Sequence, residues 1–422
     1  MFETRYRSHH DSKSFIEKNI QVLAPSKMSS KEEFENMLSN CSEKSTGGIY
    51  FHVPYCDKIC TFCNMNRKFA DDSLSSYSEF LINEIKRYST FNYVRNAEFD
   101  CVYFGGGTPT ILSEKNIENI LKEINKNFNL TEKVEFTFES TIHNLTTEKI
   151  KIMNDYGVNR ISLGIQSFND SGRKVFGRTY DKKTVIEKLK NIQKNFKGTI
   201  GIDIIYNYPG QTVVEIKEDA KIIKDLDIDS VSFYSLMIHD GSVLSALIKE
   251  NKLSYKNKIE KDFHIHTLFL DELLSNGYEL LELTKITKNG RDLYKYIKNN
   301  YSNHNLLPIG RGAGGRMSNY GVYNVSEKMS VYSKISALKD KLNEFLGYFQ
   351  YAAFNEDYFE SKLSKSAFDV FTEKLNFFIE KGLLRKQGKT YFYTTEGVFW
   401  GNNIAVELLD SIIKTEIKGE VI

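Results

Sequence analysis

Six short runs of β-branched and aromatic residues, at 48–53, 99–104, 134–139, 160–166, 200–206 and 231–236, each read as a buried strand. Segments with helical period lie between them, at 74–88 (apolar at Leu74, Tyr77, Leu81, Ile85 and Tyr88), 114–128, 147–156, 184–196 and 213–226. This strict alternation leaves few folds open. A strand followed by a helix and then another strand returns by a right-handed crossover, so the strands lie parallel in one α/β sheet. Six units without a seventh and eighth predict an incomplete, TIM-like (β/α)6 barrel, with an open doubly wound sheet as the alternative. Either arrangement puts the chemistry at the C-terminal ends of the strands.

The chain has 422 residues, which suits one such barrel with a smaller appended domain. After Tyr301 the pattern changes to a turn-rich stretch, 307–315, then helices, then the short runs 383–385 and 389–395. That order predicts a C-terminal α+β domain of winged-helix type. The expected division is an N-terminal extension over 1–46, a barrel over 47–300 and a cap over 301–422. The polar, irregular extension is expected to pack on the barrel or to be partly disordered.

Apolar residues make up 41% of the chain, and no run approaches the roughly 20 needed to cross a membrane. Lys and Arg total 57 against 55 for Asp and Glu, so no net field draws the protein to nucleic acid or an anionic membrane. The N-terminal sequence has no apolar signal region, and three of the five cysteines crowd into eight residues. A disulfide framework is therefore not expected, and a reducing cytoplasm is.

Those three cysteines, Cys56, Cys60 and Cys63, follow the first strand directly, with Pro54 ending it. Three thiolates can hold three irons of a [4Fe–4S] cluster and leave the fourth open to chelate the amino and carboxylate groups of a methionine moiety. The competing reading is a structural zinc site with His52 or a distant Cys as fourth ligand, although such sites favour paired CxxC halves. Cys41 and Cys101 have no such company, and Cys101 reads as a small core residue. Gly105-Gly106-Gly107-Thr108-Pro109-Thr110 closes the second strand, where missing side chains let backbone approach a ligand or merely form a tight turn. Glu139, Gln166, Arg178 and Asp203, on or after the next strands, would point acceptors and donors into the same mouth.

At 49–56, 104–110, 159–168 and 201–212 the sequence resembles the radical S-adenosylmethionine (SAM) superfamily, within it the oxygen-independent coproporphyrinogen dehydrogenase-like group, across roughly 47–415. The resemblance implies two SAM molecules. The first sits on the cluster, contacted by Tyr50, Gly106 and Glu139 and by backbone at Met237 and Ile309. The second is contacted by Phe62, Gly107, Thr108, Gln166, Arg178 and Asp203.

Three branches of the group compete. Porphyrinogen decarboxylases typically carry a further Cys where this chain has Met65. Heme chaperones usually show a Gly-Pro-Gly-Ala-His-type turn, where this chain has Gly310-Arg311-Gly312-Ala313-Gly314-Gly315. The anaerobic heme-degrading methyltransferases, the anaerobilin synthases, resemble this chain in Thr61-Phe62-Cys63 and in that glycine-rich turn, and this branch is the one favoured here. Methyltransferases of other heterocycles share the two-SAM logic. The favoured branch implies reductive cleavage of one SAM, transfer of a methylene radical from the second to a meso carbon of heme, ring opening to a linear tetrapyrrole and release of iron. It also implies heme as substrate and a flavodoxin-like or other low-potential electron donor. Arg311 and Arg316 are the candidate partners of the heme propionates. His239, His264, His266 and His304 read as surface or core histidines rather than heme ligands.

Overall fold

The computed structural model describes residues 2–23, 27–41 and 44–417. The six expected strands are present as Thr46–Val53 (β1), Glu98–Gly106 (β2), Leu130–Ser140 (β3), Arg160–Gln166 (β4), Thr199–Tyr206 (β5) and Ser230–Ser235 (β6). They pair in sequential order and all in parallel. The intervening helices begin where side chains can cap them. Ser113, Thr146 and Asp181 each accept from the backbone N–H three residues on, and Thr212 and Glu215 form a reciprocal capping box.

Alternation along each strand divides the barrel into two faces. Phe51, Phe104 and Phe138 occupy one register row of β1, β2 and β3 and stack with ring centroids 4.4 and 4.2 Å apart. Together with Ile161, Leu163, Ile202, Ile204, Val231 and Phe233, all at most 2% exposed, they form the core. The alternate positions are mostly polar: Tyr50 and His52, Tyr103, Glu135 and Glu139, Arg160 and Ser162, Asp203, Ser230, Ser232 and Tyr234. These residues line the lumen.

The sheet extends beyond the six strands. Asn305–Ile309 pairs in parallel with the outer edge of β1, so a seventh parallel strand lies in the stretch that the sequence presents as a turn. Pro308 hides it, and the ladder to Gly314–Met317 is registered only at Leu306–Arg316. Antiparallel strands Gly314–Met317, Tyr320–Asn324, Ser330–Lys334 and Lys27–Ser29 continue that edge; Lys285–Lys288 and Tyr278–Glu282 continue the other, giving 13 strands in one open sheet. Residues 305–334 and the strand Lys27–Ser29 thus share the barrel's sheet. A helix at Lys295–Tyr301 crosses under the N-terminal ends of the strands: Lys295 N–H donates to Glu135, and Asn299 donates to Asp100.

The later residues form a three-stranded antiparallel sheet, Ala353–Asn355, Thr390–Tyr393 and Leu384–Gln387, with the helices Lys365–Glu380 and Gly401–Ile412. This is the expected winged-helix-like arrangement. The N-terminal helix His9–Leu23 packs against Gly401–Ile412 and Ala337–Tyr348. Among the described residues no helix is long and apolar enough to cross a membrane.

Candidate active site

The cysteine loop leaves the C-terminal end of β1 and is fastened at both ends. Tyr55–Cys56 pairs in parallel with Lys68–Phe69, and the N–H groups of Lys68 and Ala70 donate to the carbonyls of Pro54 (2.7 Å) and Cys56 (2.9 Å). Its tip is held as well. Thr61 donates through its N–H to Phe176 (3.3 Å) and through its hydroxyl to Val175 (2.6 Å), while Leu244 N–H donates to the Thr61 carbonyl (2.8 Å). Segments following β4 and β6 therefore fix a loop that follows β1.

Cys56 is 7% exposed, and Cys60 and Cys63 are half-buried. Burial pushes the Cys56 and Cys63 thiols up; for Cys56 the Thr108 hydroxyl, donating to Sγ at 3.6 Å, pulls the other way. Arg178 Nη1 donates to Cys60 Sγ at 3.1 Å. His52, the candidate fourth zinc ligand, has both ring nitrogens engaged: Tyr50 hydroxyl lies 2.9 Å from Nδ1, and the Asn66 carbonyl 3.0 Å from Nε2. A carbonyl only accepts, so Nε2 carries the proton and Nδ1 takes the tyrosine's. Among the described residues no three His, Cys, Asp or Glu side chains gather around a single ion. Three thiols at one mouth without a fourth protein ligand suit a [4Fe–4S] cluster, whose thiolates bind separate irons.

The strand ends meet this loop closely. A Cβ on Gly107 would stand 2.5 Å from the Tyr55 carbonyl oxygen, so only glycine lets the two backbones approach; Gly107 and Thr108 N–H groups donate to Val53 and Tyr55 (both 2.8 Å). Gly106, at φ +114°, donates to Glu139 Oε2 (3.2 Å), and Tyr103 hydroxyl donates to Oε1 (2.6 Å). Burial pushes the Glu139 carboxyl up to about 7, against the pull of these two donors.

Gln166 and Arg178 converge on Gly164. A Cβ there would lie 2.9 Å from both Gln166 Nε2 and Arg178 Nη2, and Arg178 also donates to the Gly164 carbonyl. Asp203 is the register neighbour of Gly164 on β5. Gln166 holds φ +70°, rare for a side-chain-bearing residue, and its buried Oε1 has no hydrogen-bond partner. Strain and an orphaned buried acceptor together are what a ligand-binding position retains. The residues present thus fit a cluster with a nucleoside ligand beside it.

Phe62 packs edge-on against Phe176 (5.3 Å) and shares a cavity of about 190 Å3 with Cys63, Met65, Tyr234 and Met237. Ile309 buries its side chain and ends the seventh parallel strand, so its backbone reaches the mouth.

The two candidate arginines are separated. Arg311 lies at the mouth, its N–H donating to Tyr77 hydroxyl (2.9 Å). Arg316 lies opposite Leu306, three residues back along that strand, and binds Asp340 (2.5 and 3.3 Å) and the Ser318 carbonyl (3.0 Å). It lines a cavity of about 580 Å3 with His9, His10, Lys13, His304 and Lys339. The N-terminal contribution was missed by the sequence reading, although His9, Lys13 and Glu17 stand at the four-residue spacing of one helix face. Cys101 and His266 are fully buried core residues, as their sequence context implied.

Residues 50–223 match the model of the radical SAM superfamily. The chain is 29% identical to the heme chaperone HemW of Lactococcus lactis subsp. lactis (strain IL1403) over 378 residues, covering 86% of this chain and 97% of that one. It is 27% identical to the anaerobilin synthase of Escherichia coli O157:H7 over 393 residues, covering 90% and 88%. Its fold superposes on coproporphyrinogen III oxidase (HemN) from Escherichia coli, described as a radical SAM enzyme, with a TM-score of 0.75 at 18% identity over 90% of this chain and 94% of that one. A thiol-rich loop over open parallel strand ends, a polar lumen and these likenesses agree: residues 50–223 form a radical SAM domain, in a chain similar over nearly its whole length to HemW-type proteins.

Proposed function

We propose that this protein acts on heme, holding a [4Fe–4S] cluster on Cys56, Cys60 and Cys63, with SAM and heme beside it. The observation that carries the reading is the three-thiol loop fastened to the segments after β4 and β6, with Arg178 donating to Cys60, in a chain whose relatives over nearly its whole length bear heme-related names. Tyr50, Gly106 and Glu139, with backbone at Met237 and Ile309, would hold SAM on the cluster. When bound, the cluster supplies the electron that cleaves SAM. The cavity beside Arg316, walled in part by the helix under the N-terminal ends of the strands, collects several basic side chains and would offer a carboxylate-bearing ring a place apart from the cysteine loop. The helices and small sheet that follow residue 334 would form the cover, over a barrel whose sheet takes in 305–334 and Lys27–Ser29, and the helix His9–Leu23 would help wall the cavity. A low-potential, flavodoxin-like donor in the cytoplasm would serve such a site.

The comparisons lend more support to a heme chaperone than to heme degradation, because the chaperone name recurs among the relatives. The second reading is a methyltransferase of the anaerobilin synthase type. Phe62, Gly107, Thr108, Gln166, Arg178 and Asp203 would there hold a second SAM, with Phe62 at the wall of the cavity it shares with Met237. Anaerobic incubation of the reconstituted protein with SAM, heme and a strong reductant separates the two. A chaperone retains an intact heme band. A degrading methyltransferase loses that band and yields 5′-deoxyadenosine, S-adenosylhomocysteine and a methylated open tetrapyrrole. Failure to bind heme at all would overturn both readings.

A further inference from the structure

Lys285 is a buried cation that the site described so far does not use. It opens the strand Lys285–Lys288, is 1% exposed, and pairs in register with Ser232 of β6. Ser232 is in turn the register partner of Asp203 on β5. Asp203, Ser232 and Lys285 therefore form one row across three adjacent strands, on the lumen face. The Lys285 ammonium lies 4.1 Å from the centre of the Tyr294 ring.

Its neighbours leave it committed to this row. Arg160, a second lumen cation, is bidentate to Asp292 (3.0 and 2.9 Å), and Ser230 also donates to that carboxylate (2.5 Å). Glu282 accepts from Tyr301 and Thr284 hydroxyls (2.8 and 2.7 Å). Among the described residues no carboxylate lies within ion-pair distance of Lys285. A buried lysine without an ion pair is expensive, so a role for its charge has to be sought among the groups it faces. Burial pulls the Lys285 ammonium down from its ordinary value and Arg160 adds to that pull, while Asp292, Asp203 and Glu282 act to keep it charged. The charged groups facing Asp203 are Lys285, Arg160 and Arg178, with the Ser232 hydroxyl as its hydrogen-bond donor. Glu139 and Tyr234 share the same lumen wall. Asp203 is thus the carboxylate in the row with Lys285 that has no bidentate partner of its own.

We propose that Lys285 is a positioning residue, which keeps the Asp203 carboxylate ionised and turned toward the mouth, ready for the hydroxyls or ammonium of a nucleoside ligand. The proposal rests on the placing of Asp203 in a SAM pocket and deepens it. Burial alone pushes Asp203 up, and the ammonium across the row opposes that shift. Ligand binding that needs the ionised carboxylate is then retained to lower pH than an isolated buried Asp would permit.

SAM affinity of the reconstituted holoprotein, measured by equilibrium dialysis as a function of pH, tests it. Lys285→Met is expected to move the acid limb of SAM binding to higher pH by about one unit, which is roughly a tenfold loss on that limb. Lys285→Arg is expected to return the limb to its wild-type position, which a purely packing role would not do. Should Lys285→Met fail to fold, Ser232→Ala, which removes the hydroxyl within the row, is expected to move the limb in the same direction by less. An unshifted limb in Lys285→Met, or no recovery in Lys285→Arg, overturns the proposal while Asp203→Asn still weakens SAM binding. If Asp203→Asn binds SAM as well as wild type, the pocket assignment itself falls and takes the inference with it.

Discussion

Asp219→Ala tests how the loop after β4 is held. Asp219 lies on the helix Val213–Asp225 and is fully buried. Its Oδ1 accepts from Phe168 N–H and Asn169 Nδ2 (both 2.9 Å), and its Oδ2 accepts from Ser167 hydroxyl (3.0 Å). Asn169 Nδ2 keeps a second acceptor, the Glu215 carbonyl at 2.9 Å, so truncation strands two donors, Phe168 N–H and Ser167 O–H. At about 1–3 kcal/mol for each buried orphan, the expected loss is about 4 kcal/mol. Asp219→Asn keeps Oδ1 and its shape, and should cost about 1 kcal/mol. Burial pushes the Asp219 carboxyl up to about 7, against the pull of its donors. A raised acid favours its neutral form in the fold, so its contribution to stability is complete below the ordinary carboxylate range and is lost as pH rises toward about 7; Asp219→Asn should remove that part of the pH dependence. Denaturant unfolding measures both effects. SAM binding should fall in Asp219→Ala as well, because Gln166, held at φ +70°, begins the anchored segment. A Asp219→Ala protein within about 1 kcal/mol of wild type would refute the reasoning.

Three further outcomes are expected. Replacing any one of Cys56, Cys60 and Cys63 by Ala should abolish retention of iron and sulfide after anaerobic reconstitution while far-ultraviolet circular dichroism stays unchanged, since the loop is also held by backbone hydrogen bonds. Arg160→Met should destabilise the protein by about 3–5 kcal/mol in denaturant unfolding by leaving the Asp292 carboxylate buried without its partner, and Arg160→Met with Asp292→Leu should recover part of it. SAM affinity should show a step near pH 7 as Glu139 ionises, separate from the step set by Asp203, and Glu139→Gln should be weaker and lack the Glu139 step alone; equilibrium dialysis reads both.

The barrel was legible because its signals are local. All six strands and the five longer helices between them carry period 2 or 3.6 in their own residues, and side chains such as Ser113 and Thr212 mark the helix starts, whereas the short helices Asn92–Asn96 and Asp170–Val175 carry no such period. The seventh parallel strand was not legible. Its Pro308 and the glycines after it suppress the strand signal, and its pairing with β1 is made across more than 250 residues of chain, which no local pattern encodes. The N-terminal residues fall in the same class: Arg5 binds Asp262 (3.0 Å) and Tyr206 hydroxyl (3.2 Å), partners set by tertiary structure alone.

At the site, the cysteine spacing and the strand-end carboxamide, guanidinium and carboxylates were readable one by one, because each is an unusual residue at a strand's end. What spacing could not give is which of them share a wall. The lumen rows supply that. Phe51, Phe104 and Phe138 fill one face and hold the strands in register, so their neighbours at the alternate positions are free to be polar without loosening the core. The same alternation sets Asp203 beside Ser232 and Ser232 beside Lys285, and sets Arg160 on Asp292 below them. A one-residue slip of β5 would turn Asp203 into the apolar layer and Ile202 or Ile204 into the lumen, losing packing and charge arrangement together. Packing on the outer face therefore specifies the chemistry on the inner one, which is why residues remote in sequence from the cysteines, such as Lys285, bear on what the mouth can bind.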